Sequence, residues 1–198
     1  MNDAADAIRA GKPVILPTDT VYGLCSSAYS AAPTQKLYEV KGRDLRQPSA
    51  LLAADMEMLF ECLPELRGRA GVIARALLPG PYTLILPNPA RRYRWVTGDN
   101  PHTIGVRVPE LPDAADRILS DIGCVVATSA NLPGGVEPCR VEDIPPEILE
   151  QVAAVVDGGE LPGIPSTILD FTGAEPRVVR EGAASAAEAI GRVSAALA

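Results

Sequence analysis

Three hydroxyl side chains, one carboxylate and a glycine lie together in Pro17-Thr18-Asp19-Thr20-Val21-Tyr22-Gly23-Leu24, between two apolar segments. Lys41-Gly42-Arg43 follows downstream. Hydroxyls where a strand ends, with a lysine and an arginine close behind, are what a site for a small polar substrate beside phosphates requires. Taken singly, each segment also reads as a capped turn with surface charges. The same theme recurs at Thr103 and Arg107, at Thr128, Ser129 and Asn131, and at Ser166 and Thr167, with Arg180 after the final apolar stretch. If these groups converge, they make a pocket rich in donors and poor in nucleophile–base pairs. Each has a purely structural reading as well. Serine and threonine are common in strands, Asn131 suits a turn, and Arg180 has Glu181 and Asp170 within reach along the chain.

The elements that must position these groups follow from periodicity and breakers. A helix is expected over residues 3–10, ended by Gly11, followed by a buried strand over 13–17. The first motif then sits just past a strand end. Residues 33–40 read as a helix with Pro33 near its start, which delivers Lys41 and Arg43 at its C-terminal end. A strand over 49–53 and helices near 55–61 and 64–77 come next. Pro79-Gly80-Pro81 breaks the chain before a strand over 82–86. Residues 88–101 form an irregular, arginine-rich connection. Residues 103–108 alternate as a strand does, with Thr103, Gly105 and Arg107 on one face. A helix near 112–121 and a buried strand at 124–127 lead into Thr128-Ser129-Ala130-Asn131. Further on, loop is expected over 132–146, helix over 146–153 and strand over 154–156. An ordered glycine- and proline-rich loop over 157–165, strands at 166–171 and 177–179, and an alanine-rich helix from about 184 complete the reading. This order predicts a layered α/β fold with a mixed sheet, in one domain over 1–198.

Composition narrows the function class. The chain has 198 residues, of which 47% are apolar, enough for a substantial core. No apolar run reaches the roughly 18 residues that a bilayer needs, and the N-terminal stretch lacks the basic-then-apolar order of a signal peptide, so no membrane association and a cytoplasmic location are expected. Cys25, Cys62, Cys124 and Cys139 are scattered without a C-x-x-C pair and are expected to be small buried residues. His102 is the only histidine, which excludes multi-histidine metal sites, and its Pro-His setting reads as loop. The net charge is −7, yet residues 36–107 carry 11 Lys/Arg against 7 Asp/Glu. A basic middle in an acidic protein suits a local anionic ligand, with weak or no direct RNA binding.

Read in order, PTDTVYGL, KGR, PGPYTLIL, TIGVRVP, TSAN, GIPSTILD and VVREG resemble the successive blocks of the YrdC/Sua5 family over residues 11–183. The resemblance implies a YrdC-like α/β layered domain, with a twisted mixed β-sheet, flanking helices and a concave basic pocket. It also implies ATP-dependent synthesis of L-threonylcarbamoyl-AMP from L-threonine and bicarbonate or CO2, with release of pyrophosphate. That product feeds threonylcarbamoyladenosine modification of tRNA through a separate transfer machinery.

Matched by motif, Thr20, Arg107 and Ser166 are expected to contact threonine. Lys41, Arg43, Thr103, Ser129 and Arg180 are expected to contact ATP, with Asn131 supporting the same end. Lys41 and Arg43 are expected to face the pocket as the residues closest to the chemistry. Mg2+ is expected to arrive with ATP, held chiefly by phosphate oxygens, and no protein metal site is expected. Two departures stand out: many longer members have an asparagine where this chain has Gln47, and a histidine where it has Leu52. The chain resembles the short type of the family. A non-catalytic RNA- or ribosome-binding module is the alternative, and the intact Lys41/Arg43 and Ser129-Ala130-Asn131 blocks favour the enzyme. A carbamoyl-transfer domain like that of hydrogenase-maturation proteins is a third reading, disfavoured because the accessory regions of those proteins have no counterpart here.

Overall fold

Every strand expected from the apolar runs is found in a single sheet in the computed structural model, which describes residues 2–198. In chain order the elements are α1 (Asn2–Arg9), β1 (Val14–Pro17), β2 (Tyr22–Ser27), α2 (Ala31–Lys41), β3 (Ala50–Ala53), α3 (Met56–Cys62) and α4 (Gly68–Leu77). They continue with β4 (Tyr82–Pro87), β5 (Thr103–Arg107), α5 (Asp113–Ile122), β6 (Cys124–Ser129), a 3-10 turn at Val141–Asp143 and α6 (Pro146–Leu149). β7 (Ala154–Val155), β8 (Thr167–Asp170), β9 (Arg177–Arg180) and α7 (Ala186–Leu197) complete the fold. The sheet order is β7-β1-β2-β6-β3-β5-β4-β8-β9. It is mixed: β1/β7, β3/β5 and β4/β8 are parallel, and the other neighbours are antiparallel.

β2 is a strand that periodicity missed. Its Tyr-Gly-Leu-Cys-Ser-Ser sequence has little β-branched content, and its conformation is imposed by pairing with β1 on one side and β6 on the other. The motif Thr18–Val21 is therefore the turn of a β1–β2 hairpin, closed by the Pro17–Tyr22 pair, and not a free strand end. Two helices are shorter than expected. Residues 64–67, behind Pro64, stay outside α4, and α6 stops at Leu149.

Strand alternation divides the core between the two faces of the sheet. Leu51, Leu84, Leu86, Ile104, Val106, Val126 and Leu169 pack on one face with residues of α2, α3, α4 and α7. On the other face, α1 and α5 pack over Val14, Leu16, Cys25, Leu52, Val125 and Ala127. That second layer covers one end of the sheet. Beyond it, the alternate residues of β3, β5, β4 and β8 form the floor of a cavity. Cys25, Cys62 and Cys124 are buried as expected, whereas Cys139 is only half-buried, in a loop where its thiol and backbone N–H face the Asp143 carboxylate. His102 is exposed in the connection before β5.

Candidate functional site

The cavity encloses about 270 Å³. Its floor is the polar side of β5, where Thr103, Gly105 and Arg107 alternate with the buried Ile104 and Val106. Thr83 and Ile85 of β4, Ala50 and Leu52 of β3, and Ala127 and Ser129 of β6 extend that floor. Thr18 and Thr20 come from the β1–β2 turn, Arg43 from beyond α2, and Ser166 and Arg180 from the β8–β9 end. Seven of the nine predicted site residues thus line one cavity: Thr20, Arg43, Thr103, Arg107, Ser129, Ser166 and Arg180.

Local chemistry shapes each wall. In the β1–β2 turn, Thr18 Oγ1 accepts from the backbone N–H of Thr20 (3.2 Å) and Val21 (3.3 Å), donates to the Val21 carbonyl (2.7 Å) and meets Thr20 Oγ1 at 3.0 Å. This self-contained turn presents Asp19 and Thr20 to Arg107. Arg107 Nη2 donates to Asp19 Oδ1 at 2.7 Å and to Thr20 Oγ1 at 3.3 Å. The two charged side chains are only 11% and 9% exposed, for Arg107 and Asp19 respectively. Burial pushes the Asp19 carboxyl upward despite Arg107, and pushes the Arg107 guanidinium downward despite Asp19. Desolvation therefore outweighs the mutual attraction of this pair. Arg107 Nε is buried and has no partner within the protein.

The opposite wall is built differently. α2 ends at Gly42, whose left-handed backbone (φ 66°) closes the helix, with the Gly42 N–H donating to the Glu39 carbonyl and the Arg43 N–H to that of Tyr38. Arg43 then reaches the cavity, where Nη1 donates to Thr128 Oγ1 at 2.9 Å and its guanidinium lies 5.9 Å from the Tyr38 ring centroid. Lys41 does not stand on the cavity wall as expected. It is 5% exposed and lies behind Ser129, because its position on the last turn of α2 directs Nζ to the Ser129 carbonyl (2.7 Å), Ser129 Oγ and Asn131 Oδ1. Burial pushes its ammonium down to about 8; Glu137 opposes that fall and Arg43 adds to it.

Asn131 is likewise behind the wall, accepting from Ser129 Oγ at 2.7 Å and donating to the Gly135 carbonyl at 2.7 Å. Arg180 donates to the Ser166 carbonyl (Nη2, 2.8 Å) and does not pair with Glu181 or Asp170; burial pushes its guanidinium down. Ser166 Oγ in turn meets Thr83 Oγ1 at 2.8 Å. Gly182 allows this packing, since a Cβ there would lie 2.2 Å from the Pro165 carbonyl oxygen.

Three contributors escaped the sequence reading. Asp19 lay inside the first motif, but its partner is 88 residues away. Thr83 had only its place in a strand to mark it. Glu137, in the proline-rich loop, carries no spacing signal at all, yet it lines the cavity and is its only carboxylate, against three arginines. The 157–165 loop is ordered as expected. Tyr22 Oη accepts from Gly158 N–H at 2.9 Å, Gly163 N–H donates to the Thr20 carbonyl at 2.9 Å, and Leu161 N–H donates to that of Cys139 at 2.8 Å. Only Pro165 of that segment lines the cavity.

An α/β sheet with a donor-rich cavity on one face, walled by three arginines and several hydroxyls, defines a binder of small anionic and polar molecules. The family model for Sua5/YciO/YrdC proteins, described as "Telomere recombination", matches residues 6–182, and the chain belongs to that family. It is 33% identical over 180 residues to the threonylcarbamoyl-AMP synthase of Pyrococcus abyssi, a match covering 90% of this chain and 53% of that protein. With the threonylcarbamoyl-AMP synthase of Stenotrophomonas maltophilia it shares 34% identity over 164 residues, covering 80% of this chain and 86% of that one. The chain thus spans about half the length of the archaeal relative and most of the bacterial one. The crystal structure of P. abyssi Sua5 complexed with L-threonine superposes with a TM-score of 0.86 at 32% identity, covering 96% of this chain and 56% of that one.

Proposed function

We infer that this chain synthesises L-threonylcarbamoyl-AMP from L-threonine, bicarbonate or CO2, and ATP, with release of pyrophosphate. The observation that carries the reading is the convergence of Thr20, Arg43, Thr103, Arg107, Ser129, Ser166 and Arg180, from six separate segments, on one cavity. The names of its relatives and the threonine-bound structure of one of them support it.

The reaction needs no covalent enzyme intermediate. Threonine's amine attacks CO2 and loses a proton to give a carbamate. A carbamate oxygen then attacks the α-phosphorus of ATP, and the bond to the bridging oxygen breaks to release pyrophosphate. The protein's task is to align the reactants and stabilise phosphate charge. Thr20, Arg107 and Ser166 hold threonine, with Arg107 offering guanidinium N–H donors to its carboxylate. Arg43, Thr103, Ser129 and Arg180 hold ATP. Lys41, acting from behind Ser129 and Asn131, adds its charge to that end. Mg2+ carried with ATP supplies further neutralisation of the phosphates.

The whole chain serves as one YrdC-like domain in the cytoplasm, handing its product to the tRNA threonylcarbamoyl-transfer machinery. Among the described residues, no helix is long and apolar enough to cross a membrane. Pyrophosphate release from ATP by the purified protein tests the proposal. Release is expected only when both L-threonine and bicarbonate are present. Equal release without threonine, or none under any condition, contradicts it.

A further inference from the structure

Gly105 stands in the middle of the cavity floor, two residues along β5 from Thr103 and two from Arg107. A strand advances about 3.3 Å per residue, so the Gly105 Cα lies about 7 Å from that of each neighbour on this face. Strand pairing sets Ile85 of β4 on one side of it and Ala50 of β3 on the other, with Ala127 of β6 beyond Ala50. All four line the cavity. Along β5 the floor thus runs from a hydroxyl to a guanidinium, across a middle that has no polar side-chain atom.

The fold does not need a glycine at this position. Its φ lies outside the left-handed region, and a Cβ there would meet the Ser49 carbonyl oxygen at 3.6 Å, Ala50 Cα at 3.8 Å and Thr83 Cγ2 at 3.8 Å, all ordinary van der Waals separations. At Gly98 and Gly182, by contrast, a Cβ would lie 2.2 Å from a carbonyl oxygen, so the backbone itself demands glycine. In a strand interior glycine packs nothing and costs chain entropy, and alanine suits β5 better. Strand alternation directs a Cβ at 105 to the face of Thr103 and Arg107, so the volume it would fill is cavity.

The proposed reaction gives that volume a use. Arg107 is assigned to threonine and Thr103 to ATP, so the carbamate oxygen and the α-phosphorus have to meet between them. Reacting atoms must approach to about 3–3.5 Å in line before the new oxygen–phosphorus bond forms and the bond to pyrophosphate breaks. We propose that Gly105 is the clearance over which the two substrates meet: its missing side chain lets carbamate and α-phosphate align across the middle of the floor and adds nothing to the hold on either substrate alone. The proposal rests on the assignment of the two ends under the proposed function.

Gly105→Ala and Gly105→Val, each compared with the wild type, test it. Titration calorimetry of Gly105→Ala with L-threonine alone, and with a non-hydrolysable ATP analogue alone, should return the wild-type affinities. Its urea unfolding midpoint should be unchanged or higher. Pyrophosphate release at saturating threonine, bicarbonate and ATP should nevertheless fall by about a hundredfold, the cost of displacing one reactant by about 1 Å, and it should fall further in Gly105→Val. Wild-type turnover in Gly105→Ala overturns the assignment. So does a lost affinity for one ligand measured alone, which would put Gly105 inside that ligand's own site, and so does a lowered unfolding midpoint, which would make the glycine a requirement of the fold. A wild type that releases no pyrophosphate under any condition removes the synthase reading and this assignment with it, whereas an active wild type with an equally active Gly105→Ala removes the assignment alone.

Discussion

Arg107 and Arg43 enter the same cavity from opposite walls, yet Arg107 meets the Asp19 carboxylate at 2.7 Å whereas Arg43 meets only the neutral oxygens of Thr128 and Pro48. The Asp19–Arg107 wall is neutral overall and locked by the Thr18 turn. It offers a fixed set of donors to a small zwitterion without a large excess of charge. The Arg43 wall, backed by Lys41, has no carboxylate paired with its guanidinium among the described residues and suits phosphates. Pairing one arginine and leaving the other unpaired gives the two ends of the cavity different electrostatics, and the proposed function sets the amino acid at the first and the nucleotide at the second.

The comparison breaks most visibly in stability. Asp19→Ala leaves Arg107 buried without its counter-charge, and should cost about 3–5 kcal/mol in urea unfolding. Arg43→Ala removes no buried partner charge, and should cost about 1 kcal/mol. Equal losses would mean that the two walls are not built differently.

A smaller effect concerns Lys41. Its folded pKa of about 8 lies below the ordinary lysine value of 10.5. Between those values the unfolded chain binds the extra proton, so this group makes stability rise with pH across that window, fully gained only above the higher value. Lys41→Met should abolish that rise in unfolding curves measured from pH 8 to 10. Its charge at the phosphate end should be lost over the same range. The kcat/KM for ATP should therefore fall by about tenfold per pH unit above 8. A flat profile would show that Lys41 charge is not used.

Much of this arrangement was legible in the residues. Apolar runs located eight of the nine strands, and alternation in Thr103-Ile104-Gly105-Val106-Arg107 put the right three residues on the cavity floor. β2 escaped because its conformation is set by its neighbours and not by its own propensity. The Asp19–Arg107 and Thr83–Ser166 contacts escaped for a related reason. They depend on sheet order, which brings together residues more than 80 positions apart. Lys41 shows a third limit. Its motif is plain in the sequence, but only helix geometry decides whether its ammonium reaches the cavity or stops behind Ser129.

The division of the cavity is tested most directly by separate calorimetric titrations of L-threonine and ATP into two variants, Thr20→Val and Arg43→Ala. Thr20→Val should weaken threonine binding by about tenfold and leave ATP binding intact, and Arg43→Ala should do the reverse. Variants that lose both ligands equally, or neither, would contradict the two-walled site.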